Sequence, residues 1–448
     1  MHQHSADAER LAEAILAYAE ERFRLDPVPL DAPRTHAELT AAVGETITAD
    51  GIGGERALEL FSDVLSHACI SVDHPRFLSF IPAAPTEAAM LFDLVVGASS
   101  LYGGSWLEAS GAVYAENQAL RWVADLAGFP PAAGGVFTQG GTTGNLSALV
   151  AARHTIRERR GTPAGGFTVV ASDQVHSSVA AAARVMDVAV TLVPSDAEGR
   201  MRGDALRGVL AEVGDQAFAV VATAGTTNLG VVDRLDEAAD ACAERGLWLH
   251  VDAAYGGAAL AASSVRHLFE GIERADSFVV DPHKWLFAPF DCCALVYREP
   301  ELGRRAHTQE AGYLEPLHTG EWNPSDYAIN LTRRARGLPF WFSLATHGTR
   351  AYTAAIERTL EVSRYSRDEI RRRARTHELL HEPDLTVLVF RRLGWSPADY
   401  AAWSDRLLQA NLAFVLPTTH RGETVARFAI VNPRTSETDI STILDTMA

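Results

Sequence analysis

The chain has 448 residues, enough for two or three domains around a sizeable core. Apolar residues make up 47% and charged residues 22%, the balance of a folded globular protein rather than a disordered one. A formal charge of -17 argues against a nucleic-acid binder, and the one dense basic run, Glu369 to His377, reads as the solvated face of a helix.

The first residues, MHQHSADAERLAEAILAYAEER, carry no apolar stretch ahead of a cleavage site and are not read as a signal peptide. They read as an amphipathic helix with Leu11, Ile15, Leu16 and Ala19 on one face, His2 and His4 belonging to a disordered end rather than a metal site. Residues 1 to about 75 are expected to be helical with only short loops. From about Gly135 short apolar runs alternate with helical stretches: GGVF before a helix from Asn145 to Arg159, FTVVAS before VHSSVAAAARVM, then VAVTLVP, FAVVATA before LDEAADACAERG, LWLHVD and DSFVVD. That alternation predicts an α/β fold, a mainly parallel central sheet flanked by helices. Beyond a long helix around Arg350 to Arg375, LTVLVFRR, FVLPTT and VARFAIV are strand-like and alternate with helices at Pro397 to Asn411 and Glu437 to Met447. The expected division is therefore a helical segment at 1–78, a large α/β domain at 79–345 and a small α+β domain at 346–448. No window offers about 18 consecutive apolar residues, so no membrane span is expected. Cys69, Cys242, Cys292 and Cys293 form neither a CxxC pair nor a zinc spacing; they predict reduced thiols, a cytoplasmic setting and no metal.

Open parallel sheets bind ligands beyond the carboxyl ends of their strands. After GGVF, the stretch TQGGTTGNL combines glycines, the hydroxyls of Thr142 and Thr143 and a helix N-terminus. Those are the makings of a phosphate cradle, without the spacing of the nucleotide-binding glycine motifs. After FTVVAS, His176 stands at a helix start, where a cap is the commoner role. After FAVVATA comes a second glycine and hydroxyl cluster with Thr226 and Thr227. After LWLH comes Asp252, as suited to an N-cap as to a cationic partner. After DSFVV come Asp281, His283 and Lys284, an amine set before Trp285, Leu286 and Phe287, where its charge loses hydration. Each is equivocal alone. On one sheet edge they describe a single ligand, pyridoxal 5'-phosphate (PLP). Lys284 would attach covalently to its aldehyde, with a pKa lowered by the apolar setting; Asp252 would hold the pyridine nitrogen, His176 lie over the ring, and Thr142 and Thr143 bind the phosphate.

HPRFLSFIPAAPTEAAMLFDL, SDQVHSSV, LWLHVDAAYGG and DPHKWLFAPFDC resemble the PLP-dependent group II amino-acid decarboxylases, the aromatic-L-amino-acid decarboxylase group, from about His74 onward. HVDAAY followed by PHKW is the specific part; GGTTGN is loose. The resemblance implies fold type I, decarboxylation of an L-amino acid, and a homodimer with active sites at the subunit boundary and the N-terminal segment packed across the partner. It places His176, Asp252, Ala254, His283 and Lys284 on cofactor positions, Thr227 near the substrate carboxylate, and Phe80 to Pro82 and Tyr102 to Trp106 along the substrate pocket. Tyr313 falls where the family carries a tyrosine on a mobile loop, implicated in protonating the carbon that carbon dioxide leaves. Relatives without it tend toward oxidative deamination, so its presence favours simple decarboxylation; on the residues alone it would read as a loop anchor. Asp281 departs from the asparagine of several members and is given no phosphate role, since a carboxylate there needs a proton or a cation. Gly104 replaces a bulky ring of aromatic-specific members and is expected to open or reshape the pocket. Arg427 is read as structural, because a salt bridge to the departing carboxylate would stabilise the ground state more than the transition state. A fold type I aminotransferase and an oxidative deaminase stay open as alternatives. A cysteine-dependent lyase does not fit, because Cys292 and Cys293 follow Lys284 too closely.

Overall fold

The computed structural model describes residues 5–317 and 320–448, apart from the side chains of Tyr313 and Leu317; His2 and His4 lie outside the described residues. The chain opens with three helices, α1 (Ala6–Arg24), α2 (His36–Val43) and α3 (Gly54–Leu60). Ser5 starts α1 by accepting the Ala8 N–H at 3.2 Å, an N-cap that satisfies one of the helix's free donors. Within its own chain α1 buries no residue, and Leu16 is 55% exposed. The loops here are longer than expected: 25–35 and 44–53 hold no helix. Pro27, Pro29 and Pro33 remove donors from the first, and Gly44, Gly51 and Gly53 sit at positive φ in the second, so neither stretch can continue a helix. Two further helices follow, α4 (Glu87–Ser99) and α5 (Trp106–Leu126).

The centre of the molecule is β1 (Gly134–Thr138), α6 (Gly141–Arg160), β2 (Thr168–Ser172), α7 (Ser177–Met186), β3 (Ala189–Val193), α8 (Gly203–Val213), β4 (Ala217–Thr223), α9 (Leu235–Arg245), β5 (Trp248–Asp252), β6 (Ser277–Val280) and β7 (Cys293–Tyr297). These strands form one seven-stranded sheet in the order β1-β7-β6-β5-β4-β2-β3. All run parallel except β7, which lies antiparallel between β1 and β6. β2, β4, β5, β6 and β7 are buried at every position, which is why they read as continuous apolar runs rather than alternating ones. The fold is therefore fold type I α/β, with Thr138, Ser172, Thr223, Asp252 and Val280 ending strands at one edge of the sheet. Gly144 lets α6 lie close on the sheet: a Cβ there would fall 2.7 Å from Val279 Cγ1 and 3.0 Å from Cys293 Sγ.

The remainder runs α10 (Pro300–His307), α11 (Leu338–His347), α12 (Thr349–Arg372), β8 (His377–Leu379), β9 (Val387–Arg392), α13 (Pro397–Gln409), β10 (Thr418–His420), β11 (Glu423–Ala429) and α14 (Glu437–Asp445). β8 to β11 make a four-stranded antiparallel sheet in the order β10-β11-β9-β8. FVLPTT only partly joins it. Phe414 makes an isolated bridge to Phe77, and pairing resumes at Thr418, because Pro417 has no N–H to give a ladder. Among the described residues no helix is long and apolar enough to cross a membrane. All four cysteines are free thiols.

One buried contact makes stability depend on pH. His307 at the end of α10 donates from Nε2 to Ser147 O at 3.0 Å, and burial pulls its pKa from 6.5 down to about 4. The unfolded chain takes up a proton here below pH 6.5 that the folded chain refuses until about 4, so stability falls as pH drops through that window. His307→Gln keeps a donor but cannot titrate; it is expected to reduce the fall of the unfolding free energy, read from urea titrations across that window, by up to about 3 kcal/mol. A slope equal to wild type would remove His307 from the acid response.

Candidate active site

Asp252 is the last residue of β5 and is 5% exposed. Its Oδ2 accepts from Asn145 Nδ2 at 2.8 Å and its Oδ1 from the Ala254 N–H at 3.1 Å. Both donors are neutral, so neither cancels its charge. One strand over, Asp281 follows β6 and begins a tight turn in which the Lys284 N–H bonds to the Asp281 carbonyl at 2.9 Å. That turn brings Lys284 Nζ to 2.9 Å from Asp281 Oδ2.

This pairing corrects the reading of Lys284. Burial does push its pKa down, but the charge and hydrogen bond of Asp281, with the more distant charge of Asp252, outweigh it and hold the ammonium above its usual value. The apolar neighbours in sequence are not what Nζ faces. Asp281 in turn has the cation it needs. Burial would raise its carboxyl, yet Lys284 and His283 hold it below the usual carboxylate range. Its Oδ2 also accepts the Gly141 N–H at 3.3 Å, at the start of α6, while Oδ1 is buried without a hydrogen-bond partner. His283 is buried, accepts the Cys292 N–H on Nδ1 at 3.0 Å and lies 3.6 Å from Asp281 through Nε2. Its pKa is lowered, chiefly by burial.

Thr142, exposed, and Thr143, half-buried, stand in the first turn of α6. The helix end is fitted closely against the carboxyl edge of the sheet: a Cβ on Gly141 would lie 3.2 Å from both Ala254 Cβ and Asp281 Oδ2. Thr142, Thr143, Ala254, Asp281, His283 and Lys284 thus share one neighbourhood. His176 caps α7, accepting the Ser178 N–H on Nδ1 at 3.2 Å, and its ring is exposed. It connects to the same neighbourhood through Ser178 and Asn145.

Phe80, 61% exposed, and Thr227, also exposed, are joined by Arg427, whose Nη1 donates to Phe80 O at 2.8 Å and Nη2 to Thr227 O at 2.6 Å. Arg427 is buried, its Nε has no hydrogen-bond partner, and burial lowers its pKa to about 10. Pro82 is buried. Tyr102 donates from its hydroxyl to Leu331 O at 3.0 Å, and the Trp106 N–H bonds Asn323 Oδ1 at 3.0 Å. Gly104 opens no space: a Cβ there would fall 2.5 Å from the Tyr102 ring, which already fills the room beside it. Tyr313 falls in the short turn Gly312–Leu317, and its side chain lies outside the described residues.

Several residues of this neighbourhood carried too weak a signal to be singled out in the sequence. His250 lies two positions before Asp252 in an apolar strand, on the same face, an offset that marks it as a buried polar group. Asn145 and Ser178 sit near helix starts, where short polar residues are ordinary caps.

An amine, a buried carboxylate with only neutral donors, and a glycine-bearing helix N-terminus beside them fit PLP. The pattern described as the pyridoxal-dependent decarboxylase conserved domain matches residues 52–393. The chain belongs to the pyridoxal-dependent decarboxylase family. It is 34% identical over 380 residues to the aromatic-L-amino-acid decarboxylase of Sus scrofa, covering 80% of this chain and 78% of that one. To the protein of the same name in Bacillus atrophaeus it is 30% identical over 420 residues, 89% and 86% of the two chains. The structure of Oryza sativa TDC with PLP and tryptamine shares the fold, with a TM-score of 0.92, 24% identity and coverage of 100% and 99%. As a member of this family the chain is a PLP-dependent amino-acid decarboxylase, a carboxy-lyase.

Proposed function

We propose that this decarboxylase acts on an aromatic L-amino acid, giving the amine and carbon dioxide, as a cytoplasmic homodimer. The observation that carries the site is the convergence of Lys284, Asp252 and the N-terminus of α6 at one sheet edge. The aromatic preference is supported by the names of the two relatives. PLP supplies the electron sink that accepts the pair left on the α-carbon when carbon dioxide departs.

The chain's own groups do the rest. Lys284 would hold the cofactor covalently, Asp252 would keep a proton on its ring nitrogen, and His176 would lie over the ring. Thr142 and Thr143 bind the phosphate with the helix N-terminus, beside Ala254 and His283. Phe80, Pro82, Tyr102 and Thr227 line the substrate pocket, with Arg427 holding the backbones of Phe80 and Thr227 in place. Tyr313 would supply the proton that forms the new C–H bond on the carbon that loses carbon dioxide. Leu91, Leu94, Val95, Leu107 and Tyr114, exposed on α4 and α5, support a second copy across this face, as does α1, which buries nothing in its own chain. We keep the division at 1–78, 79–345 and 346–448 as a proposal supported by the order of three helices, large sheet and small sheet, its second boundary falling inside α11.

Carbon dioxide and amine are measured from purified protein with PLP across the twenty L-amino acids, 5-hydroxytryptophan and 3,4-dihydroxyphenylalanine, under air and under nitrogen. Equal amounts of the two products from an aromatic substrate are expected; preference for an acidic one would overturn the aromatic assignment. Tyr313→Phe is expected to lose about 10²- to 10⁴-fold in amine formation and, in air, to give aldehyde and ammonia. Wild-type amine output from that variant would reduce Tyr313 to a loop anchor.

A further inference from the structure

Beneath the groups assigned to the cofactor runs a chain of hydrogen bonds that no ligand contact accounts for. Trp248 Nε1 lies 2.9 Å from Ser277 Oγ, and Ser277 Oγ lies 2.8 Å from His250 Nδ1. His250 Nε2 is 2.9 Å from Asn145 Oδ1. Asn145 Nδ2 reaches both Asp252 Oδ2 at 2.8 Å and Ser178 Oγ at 2.9 Å, and Ser178 Oγ is 2.9 Å from His176 Nδ1. Trp248, Ser277, His250, Asn145 and Ser178 are all buried.

The direction of every bond follows from its two ends. An ionised carboxylate only accepts, so the amide nitrogen of Asn145 faces Asp252 and its oxygen faces His250. Burial takes the His250 pKa to about 4, which keeps the ring neutral. A neutral His250 that donates from Nε2 accepts at Nδ1 from the Ser277 hydroxyl, whose oxygen accepts from the indole of Trp248, a group that only donates. On the other branch Ser178 Oγ accepts from Asn145 and gives its own proton to His176 Nδ1. That nitrogen also receives the Ser178 N–H, so it is an acceptor twice over. A neutral His176 ring then carries its proton on Nε2.

We propose that Asn145 is a positioning residue of this decarboxylase: it orients Asp252 and, through the Ser178 hydroxyl, ties it to His176, whose Nδ1 the Ser178 N–H already fixes as an acceptor. The proposal rests on the reading of Asp252 and His176 as cofactor contacts. Without the Asn145 amide, Asp252 keeps, among the described residues, the Ala254 N–H, and the Ser178 hydroxyl loses its donor, while the Ser178 N–H still holds His176 Nδ1 as an acceptor. One side chain therefore sets the orientation of the carboxylate and links it to the hydroxyl that contacts the imidazole.

The test is long-range ¹H–¹⁵N NMR on histidine-labelled holoenzyme, with His176 and His250 assigned by replacing each, alongside the PLP dissociation constant. The wild type is expected to show both rings as the Nε2–H tautomer. Asn145→Leu should keep His176 as the Nε2–H tautomer, held by the Ser178 N–H, and weaken PLP binding about 10- to 100-fold. Ser178→Ala cuts only the His176 branch: it should shift the His176 Nδ1 resonance, by loss of the hydroxyl contact, while leaving PLP affinity within about twofold, and it keeps the proposal testable if Asn145→Leu folds poorly. Unchanged affinity in a folded Asn145→Leu, or a loss of affinity in Ser178→Ala as large as in Asn145→Leu, overturns the proposal. Failure of the underlying site looks different: the wild-type tautomers stay as stated but neither histidine signal moves when PLP is added to the apoenzyme, and the proposal falls with it.

Discussion

Lys284→Ala is expected to abolish the visible absorbance band of covalently held PLP and to cut turnover by about 10⁴-fold or more, as removal of a covalent attachment point does. The structure adds a second effect. Asp281 loses the cation 2.9 Å away that keeps it ionised, and a buried carboxylate is left against the start of α6 with one oxygen already unpartnered. An uncompensated buried charge costs several kcal/mol, so the variant should also unfold at lower temperature and hold the cofactor phosphate poorly. Adding Asp281→Asn removes that charge and is expected to restore thermal stability and non-covalent PLP retention, but not turnover. Spectrophotometry and thermal melts of the two variants separate the effects. A Lys284→Ala protein with the wild-type band would place the attachment elsewhere.

Asp252→Ala and Asp252→Asn form the second decisive pair. Asp252 meets only neutral protein donors, which leaves its charge for a cation supplied by the ligand. Loss of that charge from a buried, preorganised site is expected to cost about 10³-fold in turnover. Asparagine can still accept from Asn145, so the fold around it should survive while the cofactor's ring proton loses its counter-charge. Turnover with a PLP titration distinguishes charge from shape. Wild-type turnover in Asp252→Asn would mean that the carboxylate is not the partner of the ring nitrogen.

What the sequence made legible follows from where its information is local. The parallel strands β2, β4, β5 and β6 were readable because both their faces are buried, and the placement of Asp252, His176 and Thr142 at the carboxyl edge was readable because each ends or closely follows a strand. The reversed direction of β7 was not, since a strand buried on both faces reads the same either way. The same limit explains the errors at the site. Lys284 was judged by the apolar residues after it, but its ammonium turns back onto Asp281, one helical turn's spacing before it. Gly104 was judged by the side chain it lacks, while the ring of Tyr102 decides whether that lack leaves space. Asn145 matters only because α6 lies against β5, and nothing local to GGTTGN announces that.

The reversal of β7 also decides how stiff the lysine's perch is. Residues 281–293 do not cross over the sheet; they leave β6 and return along it, closed by the pairing of Val280 with Ala294 and by the His283 N–H on Cys292 O at 3.3 Å. A loop pinned at both feet to neighbouring strands of a seven-stranded sheet has little backbone freedom to spend. On the proposed role of Lys284, exchange of its amine for that of an arriving amino acid would be left to side-chain rotation about a fixed Cα, each cycle beginning and ending with the amine swinging from the same anchored base.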